Sequence, residues 1–240
     1  MRTAAIVQAR MGSKRLPGKV LRTITGKTIL EHITDRLRRV VGLDEVIFAT
    51  APGQANRAII EEAQRLGVLW SVGNEQDCLQ RFKIAVKQHD IDHFVRVTAD
   101  NPLICPDNIT DMLAIHLEHG AEFTYTLHMP EGCGLGMVVM SREALFRADA
   151  EAVDPYHREY IDEYPLSFPE KFRTSILQAP ASLRRPYRLT VDEPDDLRMM
   201  THIYEALYDK NGYIPLEAAL IWLDAHPQIA AINSHVVQET

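Results

Sequence analysis

Twelve consecutive residues near the amino terminus carry the chemistry that is easiest to read. The stretch Gln8-Ala9-Arg10-Met11-Gly12-Ser13-Lys14-Arg15-Leu16-Pro17-Gly18-Lys19 puts four cations, two glycines and a proline into one short loop. Glycines let backbone N–H groups approach anionic oxygens closely, and lysine and arginine heads neutralise the charge those oxygens bring. A loop of this composition, set directly after an apolar strand, is expected to bind phosphate; elsewhere a similar charge run is more often a solvated face. It is not a Walker loop, which needs four residues between its glycines and Ser or Thr after the lysine. Here five residues separate Gly12 from Gly18, and Val20 follows Lys19. Nor is there a G-x-G-x-x-G fingerprint, because the Gly134-Leu135-Gly136 pair lacks its third glycine. Kinase-like and dinucleotide-binding readings are weakened accordingly.

Such a loop needs elements to hold it. Residues Thr3–Gln8 form a short apolar run that reads as a buried strand feeding the loop. Ile29, Leu30, Ile33, Leu37 and Val40 recur at helical spacing, which predicts an amphipathic helix over 29–41. A strand at Glu45–Thr50, a helix at 54–66 capped by Gly67, a strand at 68–72, a helix at 77–89 and a strand at His93–Thr98 follow. This alternation predicts an α/β fold, a mainly parallel sheet flanked by helices in the Rossmann-like manner. Beyond residue 105 the pattern is less regular. Helices are expected at Pro106–Glu118, 155–164 and Pro194–Leu207, and strands at Phe123–Leu127, 137–140, 168–178 and 188–191. The chain reads as one domain, 1–240, with an inserted smaller subregion near 120–185.

Ligands of open parallel sheets bind at the carboxyl ends of the strands. Three features fall at such ends: the loop from Ala9 to Val20, the stretch Thr98-Ala99-Asp100-Asn101-Pro102, and Val191-Asp192-Glu193. They are expected to converge. Taken alone, Asp100 could equally cap a turn, and Asp192 could cap the helix that follows Pro194.

The segment AIVQARMGSKRLPGKVL closely resembles the opening of the cytidylyltransferases that make CMP-activated sugar acids, the spore-coat-polysaccharide branch above all. The CMP-Kdo and CMP-acylneuraminate synthetases are more distant relatives. Weaker resemblance continues through DEVIFAT, DCLQRF, VRVTADNPLI, HREYIDEY with FPEKF, and RLTVDEPDDL. The resemblance implies a nucleotide-diphospho-sugar transferase fold and transfer of CMP from CTP to a sugar acid, releasing pyrophosphate. It implies that Arg10, Lys14 and Lys19 bind the triphosphate, assisted by Ser13 and by backbone at Ala9 and Gly12. It implies that Asp100 and Asp192 hold Mg²⁺, with Arg10, Lys19 and Asp100 catalytic. Asp77 and Arg81 would line the nucleotide pocket, His157 and Arg158 the acceptor pocket, and the 120–185 insertion would form a homodimer near the acceptor. One departure stands out. Relatives often carry D-G-x-D-x-E before the strand leading to S-x-E-A-L, and here Gly136 and Val138 stand where acids are expected.

Composition narrows the remaining choices. The chain has 240 residues, 46% hydrophobic and 25% charged, which is ordinary globular composition. A net charge of −7 offers no global attraction to nucleic acid or anionic membrane, so neither is an expected partner. No apolar stretch approaches the ~20 residues that span a bilayer. Cys78, Cys105 and Cys133 are too sparse for a disulfide framework, so reduced thiols and a cytoplasmic location are expected. The pairs His89/His93 and His116/His119 have helical spacing but no evident third metal ligand, and surface positions are expected for them. Trp70 and Trp222 read as packing residues. The competing functional class is a non-catalytic or glycosyltransferase-like sugar-nucleotide binder of the same fold; pyrophosphate release from CTP separates the two.

Overall fold

The centre of the first strand, Ala4 to Val7, is apolar on both faces. Ala5 and Val7 enter one core while Ala4 and Ile6 enter another on the opposite face, as the two-residue period of a strand requires. The computed structural model describes residues 1–133, 137–208 and 212–236; Gly134, Leu135 and Gly136 lie outside the described residues. Numbered in chain order, the strands are β1 (Thr3–Gln8), β2 (Thr23–Ile24), β3 (Lys27–Thr28), β4 (Glu45–Thr50), β5 (Leu69–Val72), β6 (His93–Thr98), β7 (Phe123–Leu127), β8 (Val138–Ser141) and β9 (Thr174–Gln178). The first helices are α1 (Ile29–Leu37), α2 (Arg57–Leu66), α3 (Cys78–His89), α4 (Pro106–Glu118) and α5 (Arg142–Glu151). After them come α6 (Pro155–Glu159), α7 (Glu163–Ser167), α8 (Pro194–Leu207), α9 (Leu216–Ala225) and α10 (Pro227–Ala230).

Among the described residues, seven strands form one sheet in the order β5-β4-β1-β6-β8-β7-β9. β1 pairs in parallel with both β4 and β6, with Ile6 between Ile47 and Arg96. Only β8 runs against the others. The sheet is therefore mainly parallel with helices on both faces. The chain moves outward from β1 through β4 to β5, then returns to place β6 on the other side of β1. That reversal makes the carboxyl ends of β1 and β6 the switch point where ligands of such sheets bind. Each fully buried branched or aromatic side chain, such as Ile6, Phe48 or Phe94, contributes about 1.5–3 kcal/mol relative to exposure.

Several boundaries differ from the sequence expectation. The helix expected over 29–41 ends at Leu37, where Arg38 caps it. α2 starts at Arg57 rather than residue 54. The helix expected over 155–164 is two short ones, α6 and α7, broken at Tyr160–Asp162. The strand expected from residue 168 starts at Thr174, because Pro169–Lys171 forms a 3₁₀ turn. Residues 188–191 make no strand, only an isolated bridge between Arg188 and Glu131. Helices α5, α9 and α10 and the β2–β3 hairpin were not expected. The histidines also depart from expectation: His116 is fully buried, sharing hydrogen bonds with His93 (3.0 Å) and Thr124 (2.9 Å). Burial pushes its pKa down to about 3. Trp70 and Trp222 pack against the larger core, and all three cysteines are buried and free. No helix among the described residues is long and apolar enough to cross a membrane.

Candidate active site

The loop after β1 is shaped by three backbone anchors. The Ala9 amide donates to the Ala49 carbonyl (3.1 Å), carrying the ladder one residue past the strand. The Met11 amide donates to Asn56 Oδ1 (2.9 Å), and Asn56 is itself buried. The chain then folds back so that the Gly18 amide reaches the Met11 carbonyl (3.1 Å). Gly18 has φ 67°, the left-handed region glycine enters at little cost, and a 3₁₀ turn over Lys19–Leu21 comes directly after it. This reversal, with Leu16 and Val20 in the core, directs Lys19 inward.

Lys19 is therefore not an exposed loop cation; its side chain is 11% exposed. Its ammonium donates to Asp100 Oδ2 (2.7 Å) and Asp192 Oδ1 (2.6 Å). Asp100 sits just past β6, and the Val191 amide donates to the Asp100 carbonyl (2.8 Å), which draws Asp192 alongside. Burial opposes the charge on Lys19, yet the two carboxylates outweigh it and raise its pKa. Burial likewise disfavours the Asp100 anion, and Lys19 overcomes that, holding the carboxyl below its usual range. The three features converge as expected, although the residues before Asp192 form no strand.

A second layer fixes Asp192. Arg188, four residues earlier, pairs with Asp192 and Glu131 and lies 3.3 Å from the fully buried Asp196. Burial pushes Glu131's pKa up, and Arg188 only partly offsets this. Arg15 lies 3.0 Å from Glu193 and 3.8 Å from Asp192. Asp192 does not cap α8; Glu193 does, in a capping box with Asp196. Gly132 permits the close approach of residue 131 to this segment. Its φ is 84°, and an added Cβ would lie 2.5 Å from the Thr190 amide nitrogen.

The remaining expected residues occupy varied settings. Arg10, Gly12 and Lys14 are exposed, and neither Arg10 nor Lys14 makes a hydrogen bond or ion pair among the described residues. Ser13 Oγ accepts weakly from the Leu16 amide (3.4 Å). Asp77 caps α3 by accepting from the Gln80 amide (2.9 Å). Arg81 is buried and donates to the carbonyls of Asn74 (2.8 Å) and Glu75 (3.1 Å). It thereby holds the loop after β5, whose Glu75 lies 3.7 Å from where a Cβ on Gly12 would stand. Arg158 is engaged by Asp77 and Asp149 (2.7 Å to the latter), and His157 packs among Tyr164, Phe168 and Ser167. None of these contacts reaches the Lys19–Asp100–Asp192 cluster. Val138 is buried across the sheet from Arg96, which lies 3.1 Å from Asp162 on the α6–α7 connection. Gly136 lies outside the described residues.

Asp100 and Asp192 offer carboxylate oxygens converging on a single cation position. Mg²⁺ takes one or two carboxylates, completed by phosphates and water at about 2.0–2.1 Å. The residues present therefore fit a hard divalent cation. No group of three or more His, Cys, Asp or Glu able to hold a metal occurs among the described residues, so substrate oxygens would have to complete the shell. Sequence reasoning missed Asn56, Glu131 and Arg188 as site residues. The Arg188–Asp192 spacing of four was a usable signal; Asn56 and Glu131 are brought in only by tertiary structure.

Comparison with known proteins identifies the family and the fold. A family model described as cytidylyltransferase matches residues 4–170. The spore coat polysaccharide biosynthesis protein SpsF of Bacillus subtilis is 31% identical over 215 residues, 88% of this chain and 88% of its own. The 3-deoxy-manno-octulosonate cytidylyltransferase of Myxococcus xanthus is 35% identical over 105 residues, 44% of this chain and 42% of its own. A solved cytidylyltransferase from Leptospira borgpetersenii superposes with a TM-score of 0.88 at 26% identity, covering 100% of both chains. A basic loop at the switch point above paired aspartates, in a chain with these relatives, belongs to an enzyme of the cytidylyltransferase family.

Proposed function

We propose that the enzyme transfers CMP from CTP to a sugar acid, with Mg²⁺ as the divalent cation and pyrophosphate as leaving group, in surface polysaccharide or glycan biosynthesis. The observation that carries this reading is Lys19 bridging Asp100 and Asp192 beneath the loop. An acceptor hydroxyl attacks the α-phosphorus in line while the bond to pyrophosphate breaks, and negative charge grows on the phosphate oxygens. Arg10 and Lys14, exposed and without ion-pair partners among the described residues, are free to take the triphosphate. Amides near Gly12 and Ser13 would add donors. Mg²⁺, held by Asp100 and Asp192, would supply charge neutralisation at the reacting phosphate. A mere sugar-nucleotide binder has no need of a buried lysine between two acids, which favours the catalytic reading. The acceptor roles expected of His157 and Arg158 are proposed as indirect: Arg158 ties α6 to the start of α3, shaping the pocket rather than entering it. Three buried free thiols suit the reducing cytoplasm.

The reading is tested by pyrophosphate release from CTP, ATP, GTP and UTP with a panel of sugar acids. The loop held by Arg81 abuts the basic loop, so the base is expected to meet fixed donors and acceptors there. CTP is then preferred by about 10²-fold or more, as sites built for specific hydrogen bonds allow. Preference for ATP or GTP would remove the cytidylyl assignment while leaving nucleotidyl transfer standing.

A two-fold homodimer through the 120–185 region belongs to the same proposal. Of the aromatic residues in that region, Phe123 and Tyr164 are buried in the protomer. Tyr156 and Leu166 remain 45% and 42% exposed, and they mark the face expected to meet the second copy. Light scattering at micromolar concentration is expected to give twice the chain mass, and Tyr156→Ala to weaken the dimer. A monomeric mass for the wild type would refute it.

A further inference from the structure

Lys19 stands in the position a divalent cation would take. Its nitrogen lies 2.7 Å from Asp100 and 2.6 Å from Asp192, with the side chain largely shielded from water. An ammonium and a divalent cation cannot share the same two oxygens at such distances, because like charges that close repel strongly where water is excluded.

Building on the metal role given to those two aspartates under the proposed function, we propose that Lys19 has a second role as the resident counter-ion of the metal site. Without nucleotide it holds Asp100 and Asp192 together and keeps divalent cations out; a bound triphosphate draws it away and opens the site. Charge balance supports the exchange. With every group ionised, the cluster carries five carboxylates against three cations. When Lys19 leaves, the excess of two negative charges grows to three, and a divalent cation taking its place more than replaces the charge lost. Arg188 and Arg15 stay with Asp192 when Lys19 leaves, so the carboxylate remains oriented. Lysine suits the role because its compact charge rides on a flexible four-carbon stem and can move between partners. The exposed Arg10 and Lys14 offer the triphosphate its first contacts, so anion binding can precede the movement of Lys19. The consequence is an order of loading in which the metal enters with the nucleotide or after it.

The test is Mn²⁺ binding to the full chain, read from the free-ion signal in electron paramagnetic resonance, without nucleotide and with a non-hydrolysable CTP analogue. Without nucleotide, Lys19→Met and Lys19→Gln are expected to bind Mn²⁺ at least about tenfold more tightly than the wild type, while Lys19→Arg, which keeps the charge, stays close to it. Circular dichroism establishes that each variant is folded. Adding Asp192→Asn to Lys19→Met is expected to remove the gain. Neutral variants binding no more tightly than wild type would overturn the counter-ion role, as would Lys19→Arg tightening as much as they do. If wild type binds Mn²⁺ with the analogue while those results occur, only the counter-ion role falls. If no protein binds Mn²⁺ even with the analogue, the metal role of Asp100 and Asp192 falls and the inference falls with it.

Discussion

Replacing Lys19 by alanine lowers turnover by about 10²–10³-fold, the range seen when one preorganised charge-stabilising donor is removed from a transition state. The structure makes this lysine unlike the others in its loop. Arg10 and Lys14 lie in solvent, where water screens their charge. Lys19 is held against two aspartates at the junction of β1 and β6, so its charge acts where little water competes. Its loss has a second effect, because Asp100 loses the cation it pairs with and Asp192 keeps only its arginines. Two carboxylates facing one another without the ammonium repel, so the variant should unfold at lower temperature than the wild type. Mg²⁺ should restore part of the difference. The measurements are pyrophosphate release at saturating CTP and thermal unfolding with and without Mg²⁺, with Lys14→Ala as the solvent-exposed comparison. Turnover within a few-fold of wild type would remove Lys19 from the reaction.

The sequence made the parallel half of this molecule readable and left its second half obscure, for a physical reason. β1, β4 and β6 are buried on both faces, so they appear as apolar runs bounded by loops, and they pair in parallel as expected. Asp100 could be placed from the end of β6 without knowledge of side-chain positions, whereas Asp192 was placed by an expected strand at 188–191 that does not form. Segments between residues 155 and 191 resisted because their conformation answers to distant partners. Arg188 looked like the start of a strand, yet its neighbours' amides go to Glu131 and Asp100 rather than to a ladder. The break between α6 and α7 falls at Asp162, whose carboxylate lies beside Arg96 in β6, a relation that no local pattern encodes. Lys19 was legible as a cation of the glycine-containing loop, but its burial was not. That burial depends on the reversal at Gly18 and on acids 81 and 173 positions away.

Asp100→Asn is expected to cost turnover by about 10²–10³-fold and to raise the Mg²⁺ concentration needed for half-maximal rate. Asparagine keeps the shape and one oxygen but removes the charge a hard cation requires. It also leaves Lys19 with Asp192 alone, so the ammonium should shift toward that side. Asp192→Asn should look similar in rate and different in stability. Asp192 carries Arg188 and Arg15 as well as Lys19, and its neutralisation also weakens the link to Glu131 and α8. Unfolding measurements should therefore show a larger loss for Asp192→Asn than for Asp100→Asn, while metal titrations place both far from the wild type. EDTA should abolish pyrophosphate release by the wild-type enzyme, and added Mg²⁺ or Mn²⁺ should restore it. Full activity in excess EDTA would mean that neither aspartate holds a metal. The cluster would then serve only to orient Lys19, and the two asparagine variants should retain turnover in proportion to how well they keep that lysine in place.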